Sequence, residues 1–230
     1  MNTVLLATTA SIAVTHTLIG IDHYIPFIAM SHANRWTLKK TMLIVFVCGL
    51  GHVLSSVLLG FLGILLSESI ERLVHIETAR AGMATWFLVG FGAVYTVYGV
   101  WKAYKNKPHR HVLSDGETLV HQHGGDREHV HKKLSASPNA VWGLFVLFVL
   151  GPCEPLIPLI MYPAAAENAL SLWSVVVCFS VLTIGVMMLT TLLGVKGLSF
   201  LKVGRLERYS GALAGFAILA CGVMLVLFDI

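Results

Sequence analysis

The stretch from Thr41 to Leu66, TMLIVFVCGLGHVLSSVLLGFLGILL, runs for 26 residues without a Lys, Arg, Asp or Glu. About 20 apolar residues in an α-helix cross the roughly 30 Å hydrocarbon core of a bilayer, and a membrane β-strand needs only about 9–11. A helix through a membrane is therefore the expectation, and barrel strands are excluded by the unbroken apolar length. Working outward, comparable stretches lie at 4–30, 83–103, 139–166, 170–195 and 208–229. Across 230 residues, 56% are hydrophobic and 12% charged, about half the charged fraction of a soluble chain. The expected fold class is all-α, a polytopic membrane protein with six transmembrane helices. A secreted disulfide scaffold, a coiled coil and a disordered tail are excluded.

The net charge of +4 does not imply nucleic acid, because the basic residues flank apolar runs, where they orient the chain in the bilayer. Arg35, Lys39 and Lys40 follow the first span, and Lys102, Lys105, Lys107, Arg110, Arg127, Lys132 and Lys133 follow the third. Lys196, Lys202, Arg205 and Arg208 follow the fifth, so that 14 of the 16 Lys and Arg residues fall on one side. The positive-inside rule makes that side cytoplasmic and puts both termini outside, in a plasma (inner) membrane. The two left over, Arg72 and Arg80, are assigned to the opposite face. No Lys or Arg precedes the first span, which carries His16, Asp22 and His23; it is expected to be retained and not cleaved as a signal peptide. Cys48, Cys178 and Cys221 read as small packing residues within spans, and no CxxC pair occurs.

Two halves share a pattern. Asp22-His23-Tyr24-Ile25-Pro26 in span one and Glu154-Pro155-Leu156-Ile157-Pro158 in span four each place an acid four residues before a proline. Gly51 and Gly60 in span two are matched in separation by Gly185 and Gly194 in span five, and Gly92-Gly99-Val100 by Gly215-Gly222-Val223 in spans three and six. The expected organisation is a three-helix repeat over 1–103, a His-rich cytoplasmic loop over 104–138 and a second three-helix repeat over 139–230. With three spans each, the copies would be inverted, as in many secondary transporters that bind substrate where Gly- or Pro-interrupted segments meet.

The acids inside apolar spans are expected to be Asp22 and Glu154. An ionised group at the bilayer centre costs roughly 2.5–3.5 kcal/mol on insertion scales, which calls for a partner, a cavity or a function. His16 and His23 are seven residues apart, about two helical turns, and share a face. His16, His52 and Glu154 lie about 16–22 Å along their helices from the cytoplasmic side, near mid-membrane. An axial series of ligands and a single cage both satisfy these positions. Neutral imidazole suits nickel, cobalt, zinc and copper, and a carboxylate offsets the charge of a desolvated dication. The competing explanation for each histidine is a packing residue hydrogen-bonded to a neighbouring helix. Ser55, Ser56, Thr190 and Thr191 are read as aids to close helix packing.

His16-Thr17-Leu18-Ile19-Gly20-Ile21-Asp22-His23 resembles the His-x5-Asp-His signature of urease-accessory-type nickel permeases in the nickel/cobalt transporter superfamily, and Gly49-Leu50-Gly51-His52 resembles the Gly-x-Gly-His of their second span. The resemblance covers the first two spans and implies that His16, Asp22, His23 and His52 are metal-pathway residues. The chain departs from it in Ile21, where that type often has Pro, and from the better-known nickel/cobalt permeases in having six spans instead of eight and one more residue in the first motif. Gly151-Pro152-Cys153-Glu154-Pro155-Leu156-Ile157-Pro158 is similar to the Pro-Cys segment of membrane thiol electron carriers, a related branch. Those carriers use one cysteine per half, and the first-half counterpart of Cys153 is Ile21. Cys153 is read as a soft ligand beside Glu154, with a small residue at a helix break as the alternative.

The loop over 104–138 holds His109 with His111, His121 with His123 and His129 with His131, amid Gly, Ser and charge. So little apolar surface predicts a disordered linker, and six histidines predict accessory metal binding as a cytoplasmic collector or sensor. Its competitor is a soluble tether between repeats. His32 and His75 are read as ordinary surface residues.

Together these residues predict a transporter, not an enzyme, moving a divalent transition metal by alternating access, nickel or cobalt ahead of zinc and copper. The site would be His16, Asp22, His23, His52, Glu154 and Cys153, with no tightly bound cofactor. No Gly-x4-Gly-Lys-Ser/Thr motif occurs, so energy would come from a gradient, the membrane potential or a partner subunit; a homo-oligomer is equally compatible. The alternatives are a thiol-disulfide electron carrier using Cys153 and a small-anion exporter, which would need a basic group within the spans, where none is expected.

Overall fold

A computed structural model of the protein describes residues 3–66, 69–105, 109–112, 118–121, 138–151, 153, 155–165, 169–199 and 208–228. The chain is helical: α1 (Thr3–Ile19), α2 (Ile25–Ala33), α3 (Leu38–Leu65), α4 (Ile70–Lys105), α5 (Pro138–Leu150), α6 (Leu156–Ala165), α7 (Ala169–Ser199) and α8 (Ser210–Phe228). Among the described residues, α3, α4, α7 and α8 are long and apolar enough to cross a membrane, and α1 with α2 makes a fifth if that bent pair is one span. Leu43, Leu54, Leu58, Val94, Val97 and Leu193 point outward and exposed, an apolar exterior suited to lipid.

The stretch expected as the first span is not one straight helix. α1 ends at Ile19, the chain makes a 3₁₀ turn over Ile21–His23, and α2 leaves at 79° to the first axis. Gly20 sits at the corner, where a Cβ would collide with the His23 ring and crowd Asp22 Oδ1. Pro26 falls in the first turn of α2, where its missing N–H has no helical partner to lose. The stretch expected as the fourth span is also divided, into α5 and α6, around Gly151, Cys153 and Pro155.

The third stretch starts earlier than expected. α4 begins at Ile70, after Ser69, whose hydroxyl accepts the N–H of Arg72, and runs 36 residues. Neither Gly nor Pro interrupts the chain between Ser69 and Gly82, so the helix passes through its polar first turns. There Leu73, Glu77, Ala84 and Leu88 form a buried stripe, while Glu71, Arg72, His75 and Thr78 are exposed.

α4 and α8 pack backbone to backbone. A Cβ at Gly99 would meet the main chain of Gly211 and Ala212, one at Gly92 that of Leu219, one at Gly215 that of Thr96, and one at Gly222 that of Val89. These partners run in opposite directions along the two helices, so the crossing is antiparallel, held by small residues as in membrane bundles. Arg208 donates to the carbonyl of Ala103 and ties the ends together. Elsewhere the interior forms two clusters, one around Phe27, Met30, Cys48, Leu88, Phe148 and Met187, the other around Ala13, Val53, Cys153, Ile160, Val175 and Phe179. In the segment expected to be a disordered linker, β1 (His109–Val112) and β2 (Thr118–His121) pair antiparallel, with His109 opposite His121.

Candidate metal site

The 3₁₀ turn that breaks α1 from α2 folds His23 back over His16. Their ring centroids are 4.9 Å apart, at 80°. The His52 ring, from the middle of α3, meets His23 at 5.1 Å and 88°. Three imidazoles, from α1, the 3₁₀ turn and α3, thus form one contiguous group. Cys153, fully buried, joins it from the break between α5 and α6: the ligand atoms of His16, His52 and Cys153 all lie within 4.8 Å of one another.

The hydrogen bonds set the ring orientations. His52 Nδ1 stands 3.3 Å from the carbonyl oxygen of Phe148, which can only accept, so Nδ1 carries the proton and Nε2 keeps a lone pair. His23 Nδ1 faces two acceptors, the Gly20 carbonyl and Asp22 Oδ1, each at 3.1 Å. The same reasoning puts a proton on its Nδ1. Asp22 thereby orients a ring and offsets charge, the role a carboxylate plays behind a ligating histidine.

The Nε2 atoms of His16, His23 and His52 are buried and have no hydrogen-bond partner among the described residues. An unpaired buried acceptor costs about 1–3 kcal/mol, and one such atom would be a packing defect. Three of them line one cavity, and His16, His52 and Cys153 form a group that could hold a metal ion. The cavity has a volume of about 280 Å³ and is lined by His16, Asp22, His23, His52, Thr85 and Pro155 among others. Gly151 lies against His52 Nδ1, so that a Cβ there would press on the ring.

The end of α5 borders the site. A helix end leaves carbonyls without intrahelical partners, and each of three finds one: Leu147 O accepts from Gly151 N–H, Phe148 O from His52 and Val149 O from Arg80. They form the partially negative end of the α5 dipole, and Leu147 and Phe148 line the cavity. Ser56 Oγ accepts the backbone N–H of Cys153 at 3.2 Å and pins the break to α3.

Of the site residues expected from sequence, His16, Asp22, His23, His52 and Cys153 come together. Glu154 lies outside the described residues, as do His123, His129 and His131; His109, His111 and His121 fall on β1 and β2. Two expectations are corrected. The acids expected inside the spans are Asp22 and Glu154, but Glu77 is fully buried in α4. Arg80, assigned to the exterior face, turns inward and binds Glu77 at 2.7 Å, Ser55 Oγ at 2.9 Å and Val149 O at 2.9 Å. A basic group therefore does lie inside the bundle. The signal that was available is the i,i+3 pairing of acid and base on the stripe that continues through Ala84 and Leu88.

No protein-family model, curated protein or solved structure matches the chain. Fold and site together define an all-helical membrane protein with a buried cluster of imidazole and thiol groups able to hold a metal ion.

Proposed function

We propose that the protein is a membrane transporter of a divalent transition metal, nickel or cobalt ahead of zinc and copper, working by alternating access around the His16, His23, His52 and Cys153 cluster. The observation that carries this reading is the convergence of three unpartnered buried Nε2 atoms on one cavity, at the junction of two broken helices. In this reading the ion is the substrate. It exchanges its hydration shell for imidazole and thiol donors, while Asp22 and the α5 carbonyl end offset its charge.

Six spans arranged as two inverted halves are part of the proposal: α1 with α2, α3 and α4 in one, α5 with α6, α7 and α8 in the other. Support comes from packing contacts that recur when the halves are exchanged. The broken pair α1 and α2 packs on α7 and α8, the broken pair α5 and α6 packs on α3 and α4, and α3 meets α7 as α4 meets α8. Substrate sites in inverted-repeat transporters lie at such broken helices. With the basic connections cytoplasmic, both termini face outward across a plasma membrane and the His-rich segment serves as a cytoplasmic collector or sensor.

Arg80 supplies the intramembrane base that a small-anion exporter requires, but its guanidinium is already engaged by Glu77, Ser55 and Val149. An electron carrier requires a second cysteine near Cys153, and the groups clustered with Cys153 are histidines.

The test is accumulation of nickel, cobalt, zinc and copper in cells expressing wild type and His16→Ala. A metal-specific change in wild type that His16→Ala abolishes is expected, and its sign distinguishes uptake from export. Equal levels of every metal in cells with wild type, His16→Ala or no protein would overturn the reading.

A further inference from the structure

Arg80 belongs to α4, yet it reaches three other places at once. Its Nη1 donates to Glu77 Oε1, and its Nη2 is shared between Ser55 Oγ of α3 and the carbonyl of Val149 at the end of α5. Ser55 Oγ in turn donates to the carbonyl oxygen of His52 at 2.8 Å. The residue preceding Val149 is Phe148, whose carbonyl holds His52 Nδ1. The connections close into a ring: from the His52 imidazole to Phe148, along the chain to Val149, through Arg80 to Ser55, and back to the His52 main chain. Four residues beyond Val149, Cys153 is held to Ser56, the next residue of the same α3 turn.

We propose that Arg80, itself held by Glu77, is a positioning residue for the metal site: its forked guanidinium locks the end of α5 to the His52 turn of α3, so that His52 Nε2 and Cys153 Sγ converge. The inference rests on the transport reading for its metal-binding consequence. Its geometric consequence, the burial of Cys153, stands apart from that reading.

The guanidinium shape is what the role requires. If the task of Arg80 were only to neutralise Glu77, any cation at that position would serve. Arg presents several N–H donors in a planar fork, whereas Lys is a point charge on a flexible stem. A lysine can keep the pair with Glu77 but cannot hold Ser55 and Val149 in the same fixed plane. Arg80→Lys therefore separates charge neutralisation from positioning.

The experiment uses the full chain, purified in detergent, with Cys48, Cys178 and Cys221 replaced by Ala. It compares the background protein with Arg80→Lys, Ser55→Ala and His16→Ala. Nickel binding is measured as the fraction lost in His16→Ala, which removes any contribution from the loop histidines. Reaction of Cys153 with N-ethylmaleimide and the thermal midpoint are read in parallel. Arg80→Lys is expected to weaken nickel binding by about 10- to 100-fold, the range for removing an outer partner of a ligand, and to accelerate Cys153 labelling while the thermal midpoint stays near that of the background. Ser55→Ala keeps the Glu77 pair and is expected to move both readouts in the same direction by less, so it carries the test if Arg80→Lys does not fold. Unchanged labelling and unchanged nickel binding in the folded variants would overturn the proposal. If the background protein and His16→Ala bind nickel equally, the transport reading fails, and the labelling rates alone still decide whether Arg80 holds the break.

Discussion

The imidazoles of His23 and His52 meet edge to face, 5.1 Å between centroids and 88° between planes, across the gap from the turn after α1 to the middle of α3. Each ring presents Nδ1 to a fixed acceptor and leaves Nε2 buried and unpartnered. An apolar core gains nothing from such an arrangement, because an unpaired nitrogen lowers stability wherever it is buried. The cluster is therefore retained at a cost to the metal-free fold, and that cost can be measured.

His16→Leu should abolish metal accumulation and yet leave the thermal midpoint of the metal-free protein unchanged or raised. The substitution removes an unpartnered nitrogen worth about 1–3 kcal/mol of penalty and supplies apolar packing. A midpoint that falls by more than a few degrees, with accumulation intact, would mark His16 as a packing residue.

Asp22→Asn keeps an acceptor oxygen beside His23 Nδ1 but discards the charge behind the ring. Weakening of metal binding by about 10- to 100-fold is expected, with retained folding. Asp22→Ala, which also frees the ring to turn, should weaken it further; titration calorimetry on the purified chain gives the comparison directly.

Cys153→Ser replaces a soft donor by a hard one at a position where thiolate favours copper(I) and zinc. Transport of those two metals should fall more than transport of nickel and cobalt. Thiol trapping during transport should find Cys153 reduced throughout; a trapped disulfide that forms and disappears with activity would instead support electron transfer.

Glu77→Ala leaves the partly buried Arg80 guanidinium without its carboxylate, and a loss of stability at or below the about 3–5 kcal/mol of a fully buried pair is expected. Replacing both, as in Glu77→Leu with Arg80→Met, should recover most of that stability while still impairing metal binding. The cycle is read from unfolding in detergent, and recovery of binding by the double variant would show that the pair is only a structural filler.

Gly99→Ala and Gly215→Ala place a methyl group against the backbone of the opposing helix, and overpacking of this kind costs roughly 1–3 kcal/mol. Gly82→Ala and Gly90→Ala meet nothing within 4 Å, and should be neutral or stabilise by about 0.5–1 kcal/mol through helix propensity. Thermal midpoints of the four variants provide the contrast.

Apolar length made the helices legible, and the seven-residue spacing of glycines in spans three and six marked the α4 and α8 surfaces that meet. The site was legible for a narrower reason. His16, Asp22, His23 and His52 are polar residues inside apolar runs, so their burial cost advertised them. What the sequence reading lost was anything that depended on where a helix bends or begins. The 79° corner at Gly20 brings His23 onto His16 in a way that a continuous helix face does not, because two turns of straight helix would separate them by about 10 Å. Glu77 and Arg80 were missed because charge was taken to end the span, while α4 carries charge on its exposed side and continues beneath it. No local pattern announces that Arg80 binds a carbonyl 69 residues further on.

The length of α4 has a consequence for where that charged pair resides. Thirty-six residues extend about 54 Å, against roughly 30 Å of acyl chain. Even at the steep limit of observed helix inclination, about 40°, the greasy slab accommodates only some 39 Å of it. The remainder must stand among headgroups and water, and the polar turns at Glu71, Arg72 and His75 and at Lys102 and Lys105 are the parts fitted to do so. Glu77 and Arg80 follow further along α4, and Arg80 reaches Ser55, one turn from His52 in the middle of α3, so it is their mutual pairing and not the headgroups that keeps these two charges within the bundle.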